Sequence, residues 1–195
     1  MTLFHPVVLA LALPVSAPST AAAAETAPAR PAVPIEHPWS LEVELVQPFV
    51  PTVHIFTVRA SRAVWGSDDG LRGDLVLGAF LRPNVEHDVV EEIDEYLGTV
   101  GYRQFLWRGL HLEVQLDAGY VWGTNNLVDG KDYANFTLLG EVHAGYRFVF
   151  GPGDDWGLVV NPQFGVIHGL VTDIGPRDGK PDTFFSGKLN VGVAF

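Results

Sequence analysis

At 195 residues, with a net charge of −11 and 47% hydrophobic side chains, the chain has the size of one domain and is too acidic for a phosphate-backbone binder. It contains no cysteine, which excludes a disulfide framework and a thiolate metal site. Its body holds no run of about 18 apolar residues, so a bundle of membrane-crossing helices is excluded as well.

Residues 1–24 read as a secretory signal peptide. Val7 to Leu13 form a short apolar core, Pro14 breaks it, and Ala21 to Ala24 precede Glu25 as a small-residue cleavage site. The segment departs from the usual pattern in having no lysine or arginine before the core. Residues 25–38 carry Pro28, Pro31, Pro34 and Pro38, a density that sustains neither helix nor ladder and reads as an extended linker.

From residue 39 the period of two takes over, which is the mark of β-strands. The first strand covers 39–47, with Trp39, Leu41, Val43 and Leu45 against Ser40, Glu42 and Glu44. The second covers 53–62 and turns His54, Phe56, Val58 and Ala60 outward. After the turn at 65–70, the third runs over 71–81. Residues 83–96 then break the alternation. Val89, Val90, Ile93 and Leu97 fall at helical spacing, and Asp88 with Glu91 resembles a capping box, so a long acidic outer loop with a short helix is expected here. A fourth strand at 102–107 has ambiguous facing.

The fifth, 110–122, is the clearest. Leu110, Leu112, Val114, Leu116, Ala118, Tyr120 and Trp122 oppose His111, Glu113, Gln115, Asp117, Gly119 and Val121. It exceeds the usual soluble strand and suffices for the roughly 9–11 tilted residues that cross a bilayer. Turn chemistry at 123–132 leads to a sixth strand at 136–150, a turn at 151–155, a seventh strand at 158–168, a long loop at 169–183, and an eighth ending in Phe195. An even strand count and alternating connection lengths suit a barrel with both termini on one side. Trp39, Trp65, Trp107 and Trp156 fall at one set of strand ends and Trp122 at the other, as an aromatic girdle would.

Alternation alone does not say which face meets lipid. The polar face carries glycines (Gly78, Gly119, Gly145, Gly165, Gly192) and nearly balanced charges, both of which suit a narrow crowded lumen. The expected lumen network is Arg72, Asp74, His111, Glu113, Asp117, Glu141, His143, Arg147 and Lys188. A soluble lipocalin-like barrel, apolar inside, is the opposite arrangement.

On this strand pattern and the ending LNVGVAF, residues 39–195 resemble the small eight-stranded outer-membrane barrels of the OmpA transmembrane domain, OmpX and OmpW class. The resemblance implies an all-β, up-and-down transmembrane barrel in a Gram-negative-type outer membrane. It implies contact with outer-membrane lipid and lipopolysaccharide, and a terminal Phe195 read by barrel-assembly machinery. It names no cofactor and no oligomeric state.

The residues offer three candidate chemistries. His111, Glu113, Glu141 and His143 could meet on adjacent strands and hold a divalent metal, but a hydrogen-bonded network with Arg72 and Arg147 is favoured. The acids Glu86, Asp88, Glu91, Glu92, Asp94 and Glu95 have no calcium-loop spacing and read as a solvated face. Two enzymes built on such barrels modify lipid A with a serine–histidine arrangement. Here only Ser186 and His168 stand near a shared outer end, at a spacing that matches no such motif. The expected function is therefore non-enzymatic, a structural barrel or a narrow path for small solutes, with a lipid A-modifying enzyme as the alternative.

Overall fold

A computed structural model describes residues 37–50, 54–66, 71–86, 88, 90–151, 156–171 and 183–195. The expected leader 1–24, nearly all of the linker 25–38 and most of the loop 169–183 lie outside these residues, as do 67–70 and 152–155 within two turns and Val89 of the expected helix.

The strands are β1 (Trp39–Glu44), β2 (Phe56–Gly66), β3 (Arg72–Val85), β4 (Val90–Trp107), β5 (Leu110–Asn126), β6 (Tyr133–Tyr146), β7 (Phe148–Phe150), β8 (Gly157–Val171) and β9 (Thr183–Ala194). All pairings are antiparallel, in the order β6-β5-β4-β3-β2-β1-β9-β8-β7, and β6 also pairs with β8. That last pairing closes the sheet on itself. β6 and β7 are two pieces of one strand, interrupted at Arg147, and both lie against β8. The ring therefore has eight positions, as the alternation predicts.

The helix expected within 83–96 is not there. β3 continues to Val85 and β4 begins at Val90, so the connection shrinks to 86–89. Val85, Val90 and Ile93 instead pack with Val121 in a buried apolar cluster at the loop end. Ile93 and Leu97, four apart, share the inner face of one strand as any even spacing does, and Val90 is buried at that strand's start. Among the described residues the helical content is one short turn, Gln47–Phe49.

The alternation sorts side chains onto two surfaces. Leu41, Val58, Leu77, Val100, Val114, Val142 and Leu158 stand on the exterior, each 43–55% exposed. Their sequence neighbours Glu42, Arg59, Val76, Thr99, Gln115, Glu141 and Val159 are buried inside. Phe56 and Val58 face outward as expected.

The glycines of the inner face sit where strands crowd. A Cβ on Gly119 would lie 2.1 Å from the Tyr96 carbonyl oxygen, and one on Gly165 2.0 Å from that of Val142. On the loop side of the polar interior lies a second apolar layer, Ile55, Phe80, Leu97, Leu139 and Ile167. Ile167 is 1% exposed. Ile167→Val should therefore cost about 0.5–1.5 kcal/mol, measured as a shift in denaturant unfolding of the folded ring, because the deleted methyl leaves a gap that the layer fills poorly.

Candidate functional site

The interior charges fall into three groups. At the centre β1 contributes Glu42, β2 Arg59, β4 Arg103 and β5 Glu113, all at most 1% exposed. Arg103 donates through Nε to Glu113 Oε2 at 2.6 Å and through Nη1 to Glu42 Oε1 at 2.9 Å. Arg59 donates through Nη1 to Glu113 Oε1 at 2.5 Å and through Nη2 to Glu42 Oε2 at 3.3 Å. Two guanidiniums and two carboxylates thus pair crosswise with the forked geometry that arginine provides.

Amides complete this layer. Asn161 donates to Glu42 Oε2 at 3.0 Å and Gln163 to Glu113 Oε2 at 3.1 Å. Gln163 Nε2 also meets His111 Nε2 at 3.0 Å, while His111 Nδ1 faces the Gly109 carbonyl at 3.0 Å. An amide NH₂ only donates and a carbonyl only accepts, so the ring proton belongs on Nδ1.

The second group lies toward the loop end. Lys188 pairs with Glu141, and Gln115 donates to Glu141 Oε2 at 2.5 Å and to Asp117 Oδ2 at 3.4 Å. Thr99 donates to Asp117. His143 Nδ1 stands 3.6 Å from Glu141 Oε2.

The third group seals the end where Trp39 meets Phe195. Asp74 accepts from Arg72 Nε at 2.6 Å and from Arg147 Nη1 at 3.3 Å. Both guanidiniums lie over the Phe105 ring, at 5.6 and 5.9 Å from its centroid. Arg147 N bonds to Gly109 O at 2.8 Å on the β5 side, and its side chain is buried on the inner face in step with Glu141 and His143.

Eight of the nine residues of the expected network are buried in the interior and Arg72 is half-buried, but the pairings differ from those expected. Arg72 and Arg147 hold Asp74 and not the His111, Glu113, Glu141 and His143 set. Glu113 and His143 do stand opposite each other in register, yet the Glu113 carboxylate is taken by Arg59 and Arg103. Among the described residues no three acids or histidines are arranged to hold a metal ion. Glu42, Arg59 and Arg103, the centre of the whole interior, were absent from the expected network. Parity gives them away. With Phe56, Val58 and Ala60 outward, Arg59 points in; with Tyr102 and Leu106 outward, so does Arg103.

Ser186 and His168 do not meet. Ser186 is buried inside and accepts a bond from Gln47 Nε2 at 3.1 Å. His168 lies on the exterior, its Nδ1 2.6 Å from Thr183 Oγ1. The nucleophile–base pairing weighed on the sequence has no geometry here.

At the rims, Trp39, Trp65, Trp107 and Trp156 are exposed at the end where Trp39 meets Phe195, and Trp122 at the loop end beside Tyr96 and Tyr120. Arg62 and Arg108 lie over Trp39 and Trp107. Phe195 and Trp39 exchange backbone bonds of 2.9 and 3.0 Å, which seals the seam. On the β5–β6 turn, a hydrogen bond from the Tyr133 hydroxyl holds the Asp129 carboxyl below its usual range.

Comparison with protein-family models, with curated proteins and with solved structures finds no match, so the function is argued from the ring itself.

Proposed function

We propose that this chain is an outer-membrane β-barrel with a structural role, its lumen closed by its own side chains. One observation carries the reading: apolar side chains stand outward along the strands while the ionic ones are buried within. A ring dissolved in water would place them the other way round. Hydrocarbon offers backbone groups no partner, and a sheet without edges satisfies that demand. The 17 residues of β5 exceed what a crossing needs. The tryptophans at both rims suit the two interfaces.

A role as a solute path is disfavoured by the filling of the interior, since three charged groups and the apolar layer occupy it in series. On this reading the two-residue turn at 108–109 faces the periplasm and the opposite end faces lipopolysaccharide. Phe195 is then the residue that assembly machinery reads.

Chain refolded in detergent should migrate on gels as a compact band that boiling shifts, and should precipitate when detergent is withdrawn. In planar bilayers it should pass no steady current. A folded, monomeric chain in plain buffer would end the membrane reading. A sustained conductance would end the closed-lumen one.

A further inference from the structure

The strands of the ring differ in length. β1 has 6 residues, whereas its neighbours β2 and β9 have 11 and 12. A tilted strand needs about 9–11 to cross a bilayer, so β1 leaves the loop-end part of the lipid-facing wall to the segment that follows it. That segment is 45–50, with the short turn Gln47–Phe49 at its centre. Leu45, Val46, Phe49 and Val50 are its exposed side chains, with Phe49 at 82%, and all four are apolar. Gln47 faces the other way, buried, and donates to Ser186 Oγ at 3.1 Å.

The amides of this segment find their acceptors within the chain. Leu45 N donates to Leu189 O at 2.9 Å, Phe49 N to Val46 O at 3.0 Å and Val50 N to Gln47 O at 3.3 Å. Val46 N and Gln47 N donate to the two oxygens of the Glu44 carboxylate, at 3.0 and 2.6 Å, and Leu189 N joins them at 2.9 Å. Pro48 has no N–H to place. A turn bathed in water has no need of such completeness, whereas one in hydrocarbon depends on it. Charge divides the connections in the same way. From 45 to 58 the sequence holds no aspartate, glutamate, lysine or arginine. The other three connections at this end all carry acids: Glu86 and Asp88 after β3, Asp129 and Asp132 after β5, Asp173 and Asp178 after β8.

We propose that residues 45–50, with their backbone held by Glu44, lie embedded among the lipid chains of the leaflet nearest the loop end. The inference rests on the membrane reading above, and it makes one connection part of the wall while the other three stand in water. The outward row Leu41, Val43 and Leu45 runs on into the turn, so the apolar belt is continued by a segment that is not a strand. Glu44 is the positioning residue. Its buried carboxylate supplies the fixed acceptors that water would supply to an exposed turn.

The test is spin-label accessibility of the full chain folded in phosphatidylcholine vesicles. The chain has no cysteine, so each single-cysteine variant carries one label. The variants are Phe49→Cys, Val114→Cys on the belt of β5 and Val128→Cys on the β5–β6 turn, at positions 82%, 55% and 72% exposed. Oxygen, which concentrates in hydrocarbon, and a water-soluble nickel chelate are the two relaxing agents. The oxygen-to-chelate ratio at 49 should match that at 114 within about twofold and exceed that at 128 by about tenfold or more, because hydrocarbon excludes a polar chelate. Glu44→Gln should lower the ratio at 49 by about fivefold or more and leave that at 114 unchanged, since an amide without an acceptor is driven toward water. If F49C gives no compact gel band, Val46→Cys takes its place in the same comparison. The proposal is overturned if 49 behaves as 128 does, if E44Q leaves 49 unmoved, or if 49 is shielded from both agents, as a second copy of the chain would shield it. A ratio at 114 as low as that at 128 removes the membrane reading and this inference together. A high ratio at 114 with a low one at 49 removes the inference alone.

Discussion

Arg103→Met should destabilise the ring by about 3–5 kcal/mol. Arg103 is fully buried, grips Glu42 with two nitrogens and also holds Glu113. Without it the two carboxylates stay buried with Arg59 as the cation between them and only the neutral amides of Asn161 and Gln163 besides. Urea unfolding in lipid vesicles, followed by tryptophan fluorescence, measures the loss. Adding Glu113→Gln should return part of it, because one of the two stranded charges is then gone, and the pair of substitutions should cost less than the sum of the singles. Arg103→Lys should fall between, since an ammonium cannot serve both carboxylates in the same plane. If R103M proved as stable as the parent, the central quartet would be ornament and not support.

Gly192→Val should prevent closure. A Cβ at Gly192 would lie 1.9 Å from the Leu41 carbonyl oxygen and 2.8 Å from Glu42 Cα. Both atoms belong to backbone, and Gly192 stands opposite Glu42 in the β1–β9 ladder, where the ring is joined. Relief would pull the two strands apart, at more than the roughly 1–3 kcal/mol typical of an overfilled core. The compact gel band should disappear. Gly187→Ala, five residues earlier on the same strand, meets only the Phe164 ring at 3.8 Å and should keep the band. Equal behaviour of the two variants would show that glycine content matters here only through strand flexibility.

Much of this ring was legible in the chain. The start of β5 at Leu110 and the eight positions followed from a period of two, because a sheet with two unlike surroundings imposes that period on its side chains. Two things were obscured. Near the loop end, buried Val85, Val90 and Ile93 replaced the alternation with a helix-like spacing, and β4 was read as six residues where it has 18. That shortening also hid the facing of Arg103. The partners of each charge were not legible at all. Arg59 reaches Glu113 across 54 positions of sequence, and Asn161 reaches Glu42 across 119. Facing is a property of one strand, whereas pairing across an interior depends on the height at which every strand is set.

The joining of Trp39–Glu44 to Thr183–Ala194 has a consequence for how the chain comes together. Ser40 lies against Ala194, so the last ladder links the most distant parts of the sequence, and such contacts form late. Until then the growing sheet exposes two raw borders of unpaired amides and carbonyls, which invite a neighbour's strand. Those borders stay open for as long as the two ends take to find each other.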